Sequence, residues 1–337
     1  MSSSVADAIA PAPAQAADAA LPRLGLLGTG TVGRAFVARY QVLQQRRPDL
    51  PAFAWLTNSR ILQECRQAPA QALAVANAAA RGHGGCAPQP ADLRGGDIVV
   101  DATASEAVAQ RHAQWLARGV HVVTANKLGQ GAALARAEQI HAARHATGAH
   151  YGDSATVGAG LPLLSSLRAL AAGGDHIHAV EGVLSGSMAW LLHRYDGSRA
   201  FSECVREAAA AGYTEPDPRE DLSGEDVRRK LLILARAAGL SLRAEQVQVD
   251  SLLPPALAAA APQEVDAALS ALEMRHWRRA WRRRVRTAPA CVSSAASMRT
   301  APRWDCANCR WRIRWPAAPA LITASPSTAT AICNNRC

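Results

Sequence analysis

The chain has 337 residues and a mass of 35.5 kDa, enough for two modest domains, each with its own core. Nearly half of it (49%) is hydrophobic, yet no apolar run reaches the roughly 18 residues of a membrane span, which excludes a membrane-spanning helix. The formal charge of +10 is local: residues 275–337 hold thirteen Arg and one acid, Asp305, for +12, leaving −2 for residues 1–274. The basic balance therefore says little about the partners of the main body.

Residues 1–22 are rich in Ala, Ser and Pro and contain no Lys or Arg. They read as a disordered leader without the positive n-region of a signal peptide, so a cytoplasmic enzyme is expected. From Arg23 to His150 short apolar runs alternate with helical stretches, the pattern of a Rossmann-type, doubly wound parallel sheet. Strands are predicted at Arg23–Leu27, Phe53–Thr57, Asp97–Asp101 and His121–Thr124. Helices are predicted over Thr31–Leu43, through Trp115 and Leu116, and from about Ala132 to His145. Residues 151–274 switch to helices with few strand-like runs, such as His176–Leu184, and read as an α+β substrate domain. Residues 275–337 do not read as core, because only six of 63 are Val, Ile, Leu or Phe. That tail nevertheless holds five of the eight Trp and five of the eight Cys. It shows no persistent periodicity, and its composition fits a reading-frame shift near residue 274.

Gly28-Thr29-Gly30-Thr31-Val32-Gly33 follows a strand and opens a helix, the context in which a GxGxxG run binds a dinucleotide. The glycines allow a tight turn, close approach of the pyrophosphate and close helix packing, while the helix N-terminus attracts negative charge. The second strand normally ends in an acid that binds the ribose of NAD. Here it ends Thr57-Asn58-Ser59-Arg60, without an acid and with a cation. Arg60 therefore favours the 2′-phosphate of NADP(H) over NAD(H), although it reads equally as a solvated surface charge.

Of 37 basic residues only two are Lys, Lys127 and Lys230. Arg replaces Lys wherever a solvated charge suffices, but not where the group must give up a proton. Lys127 ends the fourth strand, where ligands sit in such folds. Lys230 closes the densest polar block, Gly212 to Lys230, which reads as a Pro-held loop entering a helix near Ser223. Asp226 and Lys230 are four apart on one helical face. Val227, Leu231, Leu234 and Ala238 mark the buried stripe, placing Lys230 at its border, where desolvation would make it a usable proton donor. Ser223 as N-cap with Asp226 at N3, and Asp226–Lys230 as a plain surface ion pair, are the competing structural readings.

Leu27–Gly33, Val122-Val-Thr-Ala-Asn-Lys127, Thr156-Val-Gly-Ala-Gly-Leu-Pro162, Gly182-Val-Leu-Ser-Gly-Ser187 and the Gly212–Lys230 block together resemble homoserine dehydrogenase. The likeness is to the dehydrogenase half of the bifunctional aspartokinase–homoserine dehydrogenases, over about residues 23–255. The resemblance implies NAD(P)-dependent interconversion of L-homoserine and L-aspartate 4-semialdehyde in threonine, methionine and isoleucine biosynthesis. It makes Lys230 the proton donor and Lys127 a cofactor- and substrate-contacting lysine, with Asp226 completing the catalytic set. Glu215 and Asp226 would bind homoserine, with Asp221 nearby. Gly212, Thr103 and Ser105 would touch the cofactor along with residues 28–33. The carbonyls of Val157, Ala159 and Leu161 would hold Na⁺, although Ser154 stands where many members carry a carboxylate and Asp153 lies one residue off. A homo-oligomer is also implied.

Three rival readings remain. One is another NADP-dependent small-aldehyde reductase of the same fold. A second is an inactive dehydrogenase-like protein whose basic run, Arg278–Arg286, binds nucleic acid. The third concerns the tail alone, where Cys306, Cys309, Cys333 and Cys337 form a poorly spaced zinc pattern. His141 and His145 share a helix face without an acid or Cys partner and read as solvated.

Overall fold

The computed structural model describes residues 21–271, apart from 66–67, 80–92, 178, 196–197, 216 and 250, together with short strands at 311–314 and 322–324. Apolar runs bounded by turn residues form the first strands. β1 is Arg23–Leu27, β2 Ala52–Thr57, β3 Leu62–Glu64, β4 Ile98–Asp101, β5 His121–Thr124 and β6 Tyr151–Gly152. Between them run α1 (Thr31–Gln44), α2 (Pro69–Ala78), α3 (Glu106–Ala109), α4 (His112–Ala117) and α5 (Leu134–Thr147). The sheet order is β3-β2-β1-β4-β5-β6. All neighbours are parallel except β3, which runs antiparallel to β2. The order reverses direction between β1 and β4, and such a switch point opens a crevice at the carboxyl ends of the strands.

Strand alternation divides the core between the two faces. Leu24, Leu26, Phe53, Leu56 and Val100 pack with Val37, Tyr40, Ala72 and Ala76 on the α1–α2 side. Leu27, Trp55, Val99 and Val122 pack with Trp115, Leu116 and Ile140 on the α4–α5 side. Phe53 and Leu56 share a face despite their odd spacing, because the β1–β2 register shifts at Leu24/Gly25, a bulge that skips Ala54. β6 extends this sheet two residues past the sequence-based boundary at 150.

The second unit contains α6 (Leu163–Ala172), β7 (Ala179–Gly182), α7 (Gly186–Arg194), α8 (Phe201–Ala210), α9 (Pro218–Ser223) and α10 (Glu225–Ala237). After these come β8 (Val247–Val249), α11 (Pro255–Ala258) and α12 (Val265–Ala271). α10 lies at its centre. Val227, Leu231, Leu232 and Ala235 pack toward Leu242 and Val247, while Ile233, Leu234 and Ala237 pack toward Val157, Leu164 and Leu167.

Two expectations change. Ser223 does not cap α10: it ends α9, and Gly224, left-handed at φ 78°, separates the two helices. The start of α9 is set by Asp217, whose side chain accepts from Arg219 N ahead of Pro218 at the first helical position. The tail also carries strand structure. β9 (Trp311–Arg314) pairs antiparallel with β7, and β10 (Ile322–Ala324) pairs parallel with β8. Trp311-Arg-Ile-Arg314 alternates apolar and basic residues at period two, a short strand signal that the tail's composition masks. The five tail cysteines, the basic run Arg278–Arg286 and residues 1–20 lie outside the described residues.

Two glycines of the β1–α1 turn have opposite roles. A Cβ on Gly33 would lie 2.0 Å from the Gly28 carbonyl oxygen, whereas one on Gly30 meets nothing within 4 Å. Gly33→Ala is therefore expected to cost about 1–3 kcal/mol and lower Tm by several degrees. Gly30→Ala should leave the melting temperature within a degree of wild type in the same calorimetric scan, and equal losses in the two variants would contradict this reading.

Candidate active site

A cleft of about 710 Å³ opens at the β1/β4 switch point, lined by Gly28, Thr29, Gly30, Arg34, Asn58, Ser59, Arg60, Asn77 and the loop after β4. α1 points its N-terminus into this cleft. No side chain caps that helix, and its first turn carries no acid, so its free N–H groups and dipole face the opening. Such an end suits a pyrophosphate. Gly28, Thr29 and Gly30 line the cleft, while Thr31 and Val32 are exposed on the helix and Gly33 is buried against the turn.

At the end of β2, Asn58 occupies the position of the usual acid. Its amide donates to Thr29 Oγ1 (3.1 Å) and Ala76 O (2.8 Å), and its carbonyl oxygen accepts from the Arg60 and Ile61 backbone N–H groups. Arg60 donates to the carbonyls of Asn77 and Ala79, at the end of α2. Arg34, from the first turn of α1, is a second cation on the cleft. Nothing in its spacing distinguished it in the sequence.

Thr103 and Ser105 line the opposite wall, and their hydroxyls are already engaged. Thr103 Oγ1 donates to Asp101 (2.7 Å), and Ser105 Oγ caps α3 by accepting from Val108 N. Beneath them lies a fully buried chain of polar groups that the sequence did not reveal. Asp101 Oδ2 meets His112 Nε2 at 2.9 Å, and His112 Nδ1 meets the Tyr151 hydroxyl at 3.1 Å. Burial pushes the Tyr151 phenol far above its usual value. His141 and His145 are exposed on α5, as expected.

The two lysines meet. Lys230 Nζ lies 2.6 Å from Asp226 Oδ2, and Lys127 Nζ lies 3.2 Å from Asp226 Oδ1. Lys230 also donates to the Leu184 carbonyl at 2.6 Å. Its side chain is 18% exposed, at the border of the buried stripe. Burial pushes the Asp226 carboxyl up, but the Lys230 and Lys127 ammoniums outweigh this and hold it below the usual carboxylate range. Lys127 is not itself among the cleft-lining residues, but the preceding Asn126 is tied to one of them, its amide donating to Ser105 O at 2.9 Å.

The remaining expected residues fall into two groups. Asp221 is engaged on both oxygens: Oδ1 accepts from Ser187 Oγ (2.6 Å) and Oδ2 from Glu215 N (2.8 Å). Glu215 itself is exposed, as is Gly212, which ends α8 in the left-handed conformation and is not among the cleft-lining residues. The loop of Val157, Ala159 and Leu161 precedes α6. Nearby Asp153 is buried and held on both oxygens by Arg168 at 2.7 Å, so its charge is already neutralised. Among the described residues no cluster of three or more His, Cys, Asp or Glu could hold a metal.

A parallel sheet with an uncapped helix end at its switch point has the form of a dinucleotide-binding α/β protein, and a carboxylate-bridged lysine pair lies close by. Comparison with known proteins narrows the class. Residues 28–152 match the model for "Homoserine dehydrogenase, NAD binding domain". Residues 162–302 match that for "Homoserine dehydrogenase", running past Met274. A homoserine dehydrogenase of Emericella nidulans is 36% identical over 69% of this chain and 68% of its own. The bifunctional aspartokinase/homoserine dehydrogenase 1 of Zea mays is 47% identical over 48% of this chain, which spans only 17% of that longer protein. The solved hyperthermophilic archaeal homoserine dehydrogenase in complex with NADPH shares the fold at a TM-score of 0.54 and 21% identity, over 64% of this chain and 69% of that one. The chain belongs to the homoserine dehydrogenase family.

The depressed Asp226 carboxyl has a consequence for acid stability. A group whose folded pKa lies below its unfolded value contributes stability above the unfolded pKa, near 3.9, and loses it as pH falls through the folded value. Asp226→Asn should therefore melt below wild type at pH 7, with the gap closing as pH drops below about 4. A gap that stays constant from pH 7 to pH 3 in thermal melts would show that the two ammoniums do not stabilise this carboxylate.

Proposed function

We propose that the protein is an NADP(H)-preferring homoserine dehydrogenase that interconverts L-homoserine and L-aspartate 4-semialdehyde, serving threonine, methionine and isoleucine biosynthesis. The observation that carries this reading is the convergence of Lys127 and Lys230 on one carboxylate beside a dinucleotide cleft.

The bound nicotinamide supplies the hydride for reduction and accepts it for oxidation. The protein's own groups handle charge and protons. As hydride reaches the aldehyde carbon, negative charge develops on the carbonyl oxygen. Two ammoniums sharing one carboxylate leave a net single positive charge to meet it. Lys230 Nζ then gives its proton to the alkoxide; in the oxidative direction the neutral amine takes it back. The Leu184 carbonyl and Asp226 accept from Lys230 and so aim its ammonium. Lys127, tied through Asn126 to Ser105 on the cleft wall, would keep the second positive charge beside Asp226. In this reading Glu215 and Asp226 receive the polar ends of homoserine, and Asp221 sets the Glu215 backbone.

Preference for NADP(H) is supported by the lining of the cleft, where among the described residues no carboxylate appears beside Asn58 and both Arg34 and Arg60 do. The loop Val157–Leu161 offers a sodium ion carbonyl dipoles without a free carboxylate. That donor set suits a monovalent cation rather than Ca²⁺ or Mg²⁺, and no step of hydride transfer is routed through it. Cys65 and Cys204 are buried thiols, and a reducing, cytoplasmic setting belongs to this reading. No helix among the described residues is long and apolar enough to cross a membrane. The family resemblance carries the expectation of a homo-oligomer.

The purified chain should reduce NADP⁺ with L-homoserine in preference to other hydroxy-amino acids, and absence of that selectivity would remove the substrate assignment. Lys230→Arg keeps the charge but cannot release the proton, so kcat should fall by about 10²–10⁴; retained turnover refutes the proton-donor role. Arg60→Ala is expected to raise KM for NADP⁺ about tenfold or more while leaving KM for NAD⁺ within a factor of about two. Parallel changes for the two cofactors would show that Arg60 does not read the 2′-phosphate.

A further inference from the structure

Arg236 lies in the last turn of α10, ten residues beyond Asp226, which is about 15 Å along the helix axis. It is only 8% exposed, yet it forms no ion pair with a described carboxylate. The two terminal nitrogens of its guanidinium are held by backbone carbonyls: Nη1 donates to Gln130, and Nη2 donates to Ala132 (2.9 Å) and Leu242 (2.8 Å), while the buried Nε finds no partner among the described residues. Burial lowers the pKa of the guanidinium, and the charge of Glu138 offsets this only in part. A buried cation without a paired anion is costly, and an apolar side chain of similar volume would serve packing better. Stability alone does not account for an arginine here.

The carbonyls it grips are informative. Gln130 and Ala132 belong to the segment that leaves Lys127 and leads into α5. The start of that segment is a tight turn, with Gly131 N donating to Lys127 O at 2.7 Å. The turn also touches α10 directly. A Cβ on Gly131 would lie 2.7 Å from Lys127 O and 2.8 Å from Arg229 O. The turn is thus locked between the backbone of α10 at Arg229 and the guanidinium of Arg236, about two helical turns further on. Arg has the required shape: its planar fork places donors in fixed directions, which one ammonium does not.

We propose that Arg236 is a positioning residue that pins the turn after Lys127 to α10 and thereby holds Lys127 Nζ on the Asp226 carboxylate. It touches neither substrate nor cofactor and acts through Lys127. The inference deepens the reading given under Proposed function, because it concerns the same lysine pair, but its test needs no turnover.

The test exploits the fact that Lys127 and Lys230 are the only lysines in the chain. The full chain is acylated with an N-hydroxysuccinimide ester, and the rate at each lysine is followed by peptide mass spectrometry, with the α-amino group as internal reference. Arg236→Met should raise the acylation rate of Lys127 at least fivefold. Lys230, held by Asp226 and Leu184 O, should change by less than twofold. An equal rise at both lysines marks a general loosening and overturns the proposal, as does an unchanged rate at Lys127. Should Arg236→Met fail to fold, Arg236→Gln, which adds no lysine and lacks the guanidinium fork, is labelled in the same way, and the same ratio of rates decides the question. An inactive wild type with Lys127 protected would refute the proposed activity, while the labelling ratio still decides the role of Arg236.

Discussion

The site depends on one carboxylate shared by two ammonium groups. Lys127 follows the fifth strand of the sheet and Lys230 lies in the central helix of the second unit, about a hundred residues later. Brought together without Asp226, two cations would repel one another across a half-buried site. With Asp226 between them the site keeps a single net positive charge, and each nitrogen has a fixed direction. That geometry requires the turn after β5 and the helix α10 to be held in register, which makes the packing between the two units part of the chemistry. The central place of α10, buried on two sides by separate clusters, is what makes it a firm support for Asp226 and Lys230.

The cofactor cleft rests on a second set of constraints. Its floor is the buried chain Asp101–His112–Tyr151, whose acid also fixes Thr103 through both its N–H and its hydroxyl. Asn126 continues this chain from Thr103 and Ser105 to the residue before Lys127. A buried, fully partnered polar network is rigid, because any member left without its partner bears the full desolvation cost. The wall of the cleft and the root of Lys127 are therefore set by the same hydrogen bonds, and the cleft and the lysine are placed relative to each other before any ligand arrives.

The polar block before α10 is organised with similar economy. Asp217 starts a short helix, Gly224 breaks it, and Asp221 within that helix reaches back to Ser187 and to the Glu215 backbone. Three acids in close sequence thus have three different tasks, of which only Asp226 faces the lysines. Beyond Met274 the two short strands β9 and β10 pair with β7 and β8, so the basic, Trp-rich tail contributes backbone to the second unit. Its apolar content alone gave no sign of this.

Much was legible in the sequence because the signals are local. The strands around Leu26, Val99 and Val122 follow from apolar runs whose alternate side chains must leave water on both faces of a sheet. The turn Gly28–Gly33 follows from a backbone contact that tolerates no Cβ at Gly33. The rarity of lysine in so arginine-rich a chain singled out Lys127 and Lys230. What the sequence could not determine is which distant groups share a partner. His112 and Tyr151 carry no pattern of their own, Arg34 is one arginine among many, and Arg236 reads as an ordinary end-of-helix cation until its three carbonyl partners are seen. Asp221 and Asp226 are alike in sequence and differ only in what folding brings to their oxygens. Local structure follows from nearest-neighbour sterics and hydrophobic period, whereas the role of a polar side chain is fixed by hydrogen-bond partners that only the tertiary fold places within 3 Å of it.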